Sequence, residues 1–213
     1  FFHMAYLAAQ RAAGEERIFP SLRACPGGGA PKPPALHTEI QQELGGQGIL
    51  SGWGLTEAPI LTMASALDPD DKLATTEGRA MPGVLLRAVD LDGNEVGAGE
   101  EGELRAKAPQ MMRGYLDGSL DADAFDADGW FRTGDLGFID EHGYVRITGR
   151  VKDVIIRKGE NVSAAEVENL LYEHPKVADV AVIGLPDAER GEMVCAVVAT
   201  AEGADALAFD EMV

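Results

Sequence analysis

Four consecutive pieces decide how this chain is read: Gly-Trp-Phe-Arg-Thr-Gly-Asp-Leu-Gly (129–137), Ile-Asp-Glu-His-Gly-Tyr-Val (139–145), Gly-Arg-Val-Lys-Asp (149–153) and Arg-Lys-Gly-Glu-Asn-Val (157–162). Gly134, Gly137, Gly143 and Gly149 interrupt short apolar runs, the pattern of strands joined by tight turns. Leu136–Asp140 and Tyr144–Thr148 form a hairpin across Glu141-His142-Gly143, which leaves His142 facing solvent. The same stretch carries Asp135 and Arg150, an acid and an always-charged base flanking that hairpin.

Downstream the pattern changes. Val154-Ile155-Ile156, a helix over 163–173, Val177–Leu185 and Val194–Ala199 read as β-α-β-β, a small α+β unit. Ser163 and Glu166 form a capping box at the helix start, and His174 suits the carboxyl end of its dipole. The boundary is placed at Gly149–Asp153. The last residues, Phe209–Val213, read as the first turn of a further helix with Asp210 and Glu211 as first-turn acids.

Upstream, Val84–Val89 and Gly102–Lys107 form a hairpin with a turn at Asp92-Gly93. Ile49–Trp53 is a strand running into Gly54-Leu55-Thr56-Glu57; such junctions at the carboxyl ends of strands are where open α/β sheets bind ligands. Residues 33–44 are a helix entered through Pro33 or Pro34. Leu22–Cys25 is a strand leading into Pro26-Gly27-Gly28-Gly29-Ala30-Pro31, where the absence of side chains lets a backbone come close to something flat or charged, or simply turn. Met4, Leu7, Ala8 and Ala12 mark a first helix ending at Gly14. No ligand role is given to His3, His37, His142 or His174.

The chain has 213 residues and a net charge of −18, which argues against general nucleic-acid binding and against anionic membrane surfaces. No run is apolar enough to span a membrane, and no secretory signal is visible. Two distant cysteines, Cys25 and Cys195, without metal spacing, fit a reducing compartment, so a cytoplasmic protein is expected.

The motifs occur in one order: Gly-Gly-Gly-Ala-Pro (27–31), Gly-Trp-Gly-Leu-Thr-Glu (52–57), Gly-Glu-Leu-x-x-Lys (102–107), Met-x-x-Gly-Tyr (ending at Tyr115), Trp-Phe-x-Thr-Gly-Asp (130–135) and Gly-Arg-x-Lys-Asp with Lys-Gly-Glu-Asn-Val (149–162). Together they closely resemble the adenylate-forming, AMP-binding superfamily of acyl- and aryl-CoA synthetases, luciferases and peptide-synthetase adenylation domains. Lys-Gly-Glu-Asn-Val resembles the CoA ligases among them. The resemblance implies the carboxyl-terminal part of a large mixed α/β domain with a β-hairpin-rich subdomain (1–149), a hinge (150–153) and part of a small α+β domain (154–213). It implies acyl-adenylate formation from ATP and a carboxylic acid, then thioester formation with CoA.

Carried over residue by residue, Gly28, Gly29, Ala30 and Pro31 pass beside adenine and the acyl group. Trp53 stacks on adenine, Thr56 bonds the α-phosphate and Glu57 holds Mg2+. Asp135 and Arg150 take the ribose, Lys152 is the hinge, and Lys158 and Gly159 face the pantetheine arm. The apolar residues around Phe1, Phe2 and Gly27–Gly29 point to an apolar acid. The resemblance places a phosphate loop before Phe1 and a catalytic lysine beyond Val213, so the 213 residues alone are expected not to make acyl-adenylate at a useful rate. Two alternatives stay open: a non-catalytic fragment that binds nucleotide or acyl ligand, and an enzyme delivering its acyl group to a carrier protein. Sheet edges left without upstream strands are expected to be covered by partner chains, a homo-oligomer included, or by further residues.

Overall fold

Apolar residues at helical spacing wind Phe2–Ala13 into helix α1 in the computed structural model, which describes residues 2–14, 16–29, 32–90, 92–172, 174–201, 203 and 207–208. Leu7, 1% exposed, joins Cys25, Leu36, Ile40, Leu44 and Ile49 in one apolar cluster. Each such side chain contributes roughly 1.5–3 kcal/mol when fully buried. The first strand, expected over Leu22–Cys25, instead begins at Cys25: β1 (Cys25–Gly28) runs through Pro26 and two glycines. Helix α2 (Pro34–Glu39), with Pro33 at its N-cap position, continues as a π turn over Ile40–Leu44 and covers the expected span.

Pairing explains the shift of β1. It lies parallel to β2 (Ile49–Trp53), with Cys25 opposite Ile49 and Gly28 opposite Gly52. As the edge strand of its sheet, β1 tolerates the missing amide of Pro26. A Cβ on Gly28 would sit 2.7 Å from the Gly52 carbonyl oxygen, so this glycine is required by the neighbouring strand. Strands β3 (Thr62–Met63) and β4 (Arg79–Ala80), separated by α3 (Asp70–Thr75), complete the sheet in the order β1-β2-β3-β4.

The expected hairpin is present as β5 (Leu85–Val89) and β6 (Gly102–Lys107), antiparallel with Leu85 opposite Lys107. After the short helix α4 (Asp121–Ala124), β7 (Phe131–Ile139) and β8 (Val145–Arg150) extend this sheet to the order β5-β6-β7-β8. Asp140 N donates to Tyr144 O at 3.0 Å across the Glu141-His142-Gly143 turn, and His142 is exposed. A second core gathers Trp53, Ala58, Leu61, Val84, Ala88, Leu104, Ala106 and Val145.

The carboxyl-terminal part contains β9 (Val154–Arg157), β10 (Glu160–Ser163), α5 (Ala164–Tyr172), β11 (Val177–Asp187) and β12 (Gly191–Thr200), in the order β10-β9-β12-β11. The β-α-β-β expectation therefore lacked one strand. Lys158 (φ 54°) and Gly159 (φ 84°) both adopt positive φ, which closes a two-residue turn and pairs Arg157 with Glu160. Half of the capping box forms, Glu166 N donating to Ser163 Oγ at 3.3 Å; the reciprocal bond from the Glu166 carboxylate does not. Ile155, Ala164, Val180 and Val182 are its buried core. The helix expected at 209–213 lies outside the described residues.

Contacts divide the chain into two units, Phe1–Thr133 with Gly137–Ile147 and Gly134–Leu136 with Thr148–Val213. A mixed sheet flanked by helices and an α+β carboxyl-terminal unit agree with the α/β and α+β classes expected from the sequence.

Candidate active site

In the first unit, β2 ends at Trp53 and the chain makes a tight excursion before Leu61 N returns to Trp53 O at 2.8 Å. Leu55 and Ala58 exchange backbone hydrogen bonds at 3.1 and 3.2 Å. Gly54 permits this: a Cβ there would lie 2.4 Å from Ile60 N. Ile60 itself sits at φ 49°, a conformation that strains a β-branched residue and is often stored at functional sites. The excursion leaves Thr56 exposed and Glu57 half-buried.

A second loop clamps the first. Gln110 Nε2 donates to Pro59 O and Ile60 O at 3.0 and 3.1 Å, and Met112 N donates to Glu57 O at 2.7 Å. The Tyr115 hydroxyl donates to Glu57 Oε1 at 2.9 Å, while Tyr115 N is held by Asp121 Oδ1 at 2.8 Å. Its bond to the Glu57 carboxylate raises the Tyr115 phenol above its ordinary pKa. Among the described residues, Glu57 has no ion pair. Sequence reading noted Tyr115 within a motif but missed its contact, because the residues lie 58 positions apart.

Trp53 belongs to the core, 7% exposed, so it presents little open face for stacking on a base. Gly28 is fixed by its neighbour strand, and Gly29, at φ 79°, faces open space; Ala30 and Pro31 lie outside the described residues. A cavity of about 610 Å3 borders Gly27 and Gly28, lined by Phe2, Phe19 and Leu22 with His3, Tyr6, Lys32 and Ser51 as polar members. Lys32 Nζ donates to Thr76 O at 3.2 Å, and burial pushes this lysine below and Glu77 above their ordinary pKa values.

In the second unit, Arg150 Nε lies 3.0 Å from Asp135 Oδ1; the Asp135 side chain is 6% exposed and that of Arg150 53%. Equal steps away from the Asp140–Tyr144 turn reach Asp135 on one strand and Gly149 on the other, a signal from which this meeting can be read. Lys152 sits in the exposed 3-10 turn Val151–Asp153 that follows β8. Lys158 and Gly159 form the exposed β9–β10 turn, with Lys158 N donating to Arg190 O at 2.7 Å.

Among the described residues no group of three or more His, Cys, Asp or Glu could enclose a metal, and no helix is long and apolar enough to cross a membrane. The chemistry of Glu57, one carboxylate with an oxygen left over, fits Mg2+ shared with phosphate oxygens and does not fit a protein-only cage.

Two family profiles match: "AMP-binding enzyme" over residues 1–116 and "AMP-binding enzyme C-terminal domain" over residues 166–212. The "3-[(3aS,4S,7aS)-7a-methyl-1,5-dioxo-octahydro-1H-inden-4-yl]propanoyl:CoA ligase" of Rhodococcus jostii is 42% identical over 194 residues, 91% of this chain and 36% of that ligase. The medium-chain fatty-acid–CoA ligase of Escherichia coli is 38% identical over 87% of this chain and 33% of its own length. The chain thus spans about a third of the length of the curated relatives it matches. Among solved structures, o-succinylbenzoate CoA synthetase of Bacillus subtilis in complex with its acyl-adenylate intermediate superposes with a TM-score of 0.80 at 30% identity, over 93% of this chain and 40% of that one. ATP-bound MatB from Rhodopseudomonas palustris gives 0.78 at 38% identity, over 84% and 35%. With one profile covering more than half of the residues and another the carboxyl-terminal part, this chain belongs to the AMP-binding enzyme family.

Proposed function

We propose that the complete protein carrying this segment is an ATP-dependent ligase joining an apolar carboxylic acid to CoA. A carboxylate oxygen of the acid attacks the α-phosphorus of ATP, and the bond to pyrophosphate breaks. The CoA sulfur then attacks the acyl carbon, the acyl–oxygen bond breaks with AMP leaving, and the thiol proton goes to solvent.

Thr56 donates its hydroxyl to an α-phosphate oxygen, and Gly28–Pro31 run beside the nucleotide and the acyl group. Glu57 holds Mg2+, which neutralises phosphate charge when bound. Asp135 accepts from the ribose hydroxyls with Arg150 alongside. The turn around Lys152 serves as hinge between the two half-reactions, and Lys158 and Gly159 meet the pantetheine arm in the second. The cavity beside Gly27 and Gly28, with Phe2, Phe19, Leu22, Leu36 and Ile49 among its lining residues, supports an apolar acid.

The observation that carries this reading is the Asp135–Arg150 pair: Arg150 Nε, 3.0 Å from Asp135 Oδ1, fixes the direction of a carboxylate of the kind that accepts from hydroxyl groups. The test is AMP formation by the complete protein across a panel of aliphatic, alicyclic and aryl acids, with and without CoA. CoA-dependent AMP release with at least one apolar acid is expected. AMP release that requires a phosphopantetheinylated carrier, or none with any acid, would overturn it.

A further inference from the structure

Glu57 has no cationic partner in the first unit among the described residues, yet it is held in place. Its main-chain carbonyl accepts from Met112 N at 2.7 Å, and one side-chain oxygen, Oε1, accepts from the Tyr115 hydroxyl at 2.9 Å. The tyrosine is itself anchored, since Asp121 Oδ1 accepts from Tyr115 N at 2.8 Å, within a loop tied by Gln110 to Pro59 and Ile60. A half-buried carboxylate on a loop otherwise samples several rotamers, and a neutral phenol restricts it without neutralising its charge. An arginine at that place would fix the same rotamer but compensate the charge and compete with a cation.

We infer that Tyr115 is a positioning residue for the Glu57 carboxylate, engaging Oε1 so that Oε2 is presented to the divalent cation that accompanies the nucleotide. This rests on the reading of Glu57 as the cation ligand and adds the group that orients it. Partners of this kind behind a metal-binding side chain are worth about tenfold or more in cation affinity.

The test uses the complete protein and Mn2+, titrated in the presence of an ATP analogue with a methylene between the α- and β-phosphates, with free Mn2+ read by electron paramagnetic resonance. Four proteins are compared: wild type, Tyr115→Phe, Glu57→Gln and the double variant, each checked for folding by circular dichroism. Tyr115→Phe keeps the ring and removes only the hydroxyl, and it is expected to weaken Mn2+ binding about tenfold. Glu57→Gln weakens it further, and in that background Tyr115→Phe adds less than about twofold, since the two residues act as one unit. In steady state, Tyr115→Phe raises the Mg2+ concentration needed for half-maximal rate while the rate at saturating Mg2+ stays near wild type. Wild-type Mn2+ affinity in Tyr115→Phe alongside weakened binding in Glu57→Gln overturns the role of Tyr115 alone. Unchanged affinity in Glu57→Gln overturns the cation-ligand reading and this inference with it.

Discussion

Two carboxylates, one in each unit, are handled in opposite ways. Asp135 is 6% exposed at its side chain and meets a guanidinium at 3.0 Å. Glu57 is half-buried and meets a phenol at 2.9 Å, with no ion pair among the described residues. A carboxylate withdrawn from water needs charge compensation, because an uncompensated buried charge costs several kcal/mol. One that keeps partial hydration can retain its charge and be oriented by a neutral donor. The first arrangement suits an acceptor for hydroxyl groups, the second a ligand for a cation. What each carboxylate is suited to do differs with its partner and its burial, since the two side chains differ only by a methylene.

The largest expected effect tests the Asp135 side of the comparison. Asp135→Ala in the complete protein should lower kcat/KM for ATP by about 100-fold with every acid used, the loss of two charge-assisted hydrogen bonds. Unchanged ATP kinetics would remove Asp135 from the nucleotide site. Arg150→Ala leaves the nearly buried Asp135 carboxylate without this partner and should destabilise the second unit by about 1–3 kcal/mol, less than full burial would give because Arg150 is half exposed. Amide hydrogen exchange over residues 154–163 measures this; protection equal to wild type sinks the idea that the pair holds that unit.

The Glu57 side depends on strand β2, and β2 depends on its fit to β1. Gly28→Ala places a methyl 2.7 Å from the Gly52 carbonyl oxygen and should cost about 1–3 kcal/mol, seen as a lower unfolding midpoint by tryptophan fluorescence. A full-height transition at the wild-type temperature would show that the strands can part without loss.

The same strand is tied to helix α2 by His37, whose Nδ1 accepts from Ile49 N at 3.1 Å and whose ring is 1% exposed. Burial holds this imidazole below its ordinary pKa, so the unfolded chain takes up the proton more readily. Its contribution is complete above about pH 6.5 and is lost as pH falls through the folded-state value. Denaturant unfolding at about pH 7.5 and about pH 5.5 should show weaker folding at the lower pH, and His37→Gln should reduce that slope. An identical slope in the variant rules His37 out as its source. The smallest effect is expected at the exposed β9–β10 turn: Lys158→Ala should raise KM for CoA about twofold to fivefold and leave acid-dependent pyrophosphate exchange untouched. A change in the exchange reaction instead would place Lys158 in the first half-reaction.

Local signals made much of this legible. The Glu141-His142-Gly143 turn, the Pro33–Pro34 helix entry and the Ser163 cap each involve residues a few positions apart, where spacing carries the physics directly. The short strands β3 and β4 carry too few residues for a periodicity, and β10 hid because its turn uses a lysine at φ 54°, a conformation that side chains with a Cβ seldom adopt. The glycine run at 27–29 signalled a close approach, and the neighbour turned out to be Gly52 of the adjacent strand.

The sequence by itself determined the main hairpins and helices, the motif residues and the family they resemble, since each depends on short spacings or on residue identity. Tertiary structure alone decided which charges are compensated and which rings are buried. It brought Tyr115 to Glu57 across 58 positions, placed Trp53 in a core and sealed His37 against β2. Those outcomes depend on sheet pairing and loop closure between distant segments, which no local periodicity encodes.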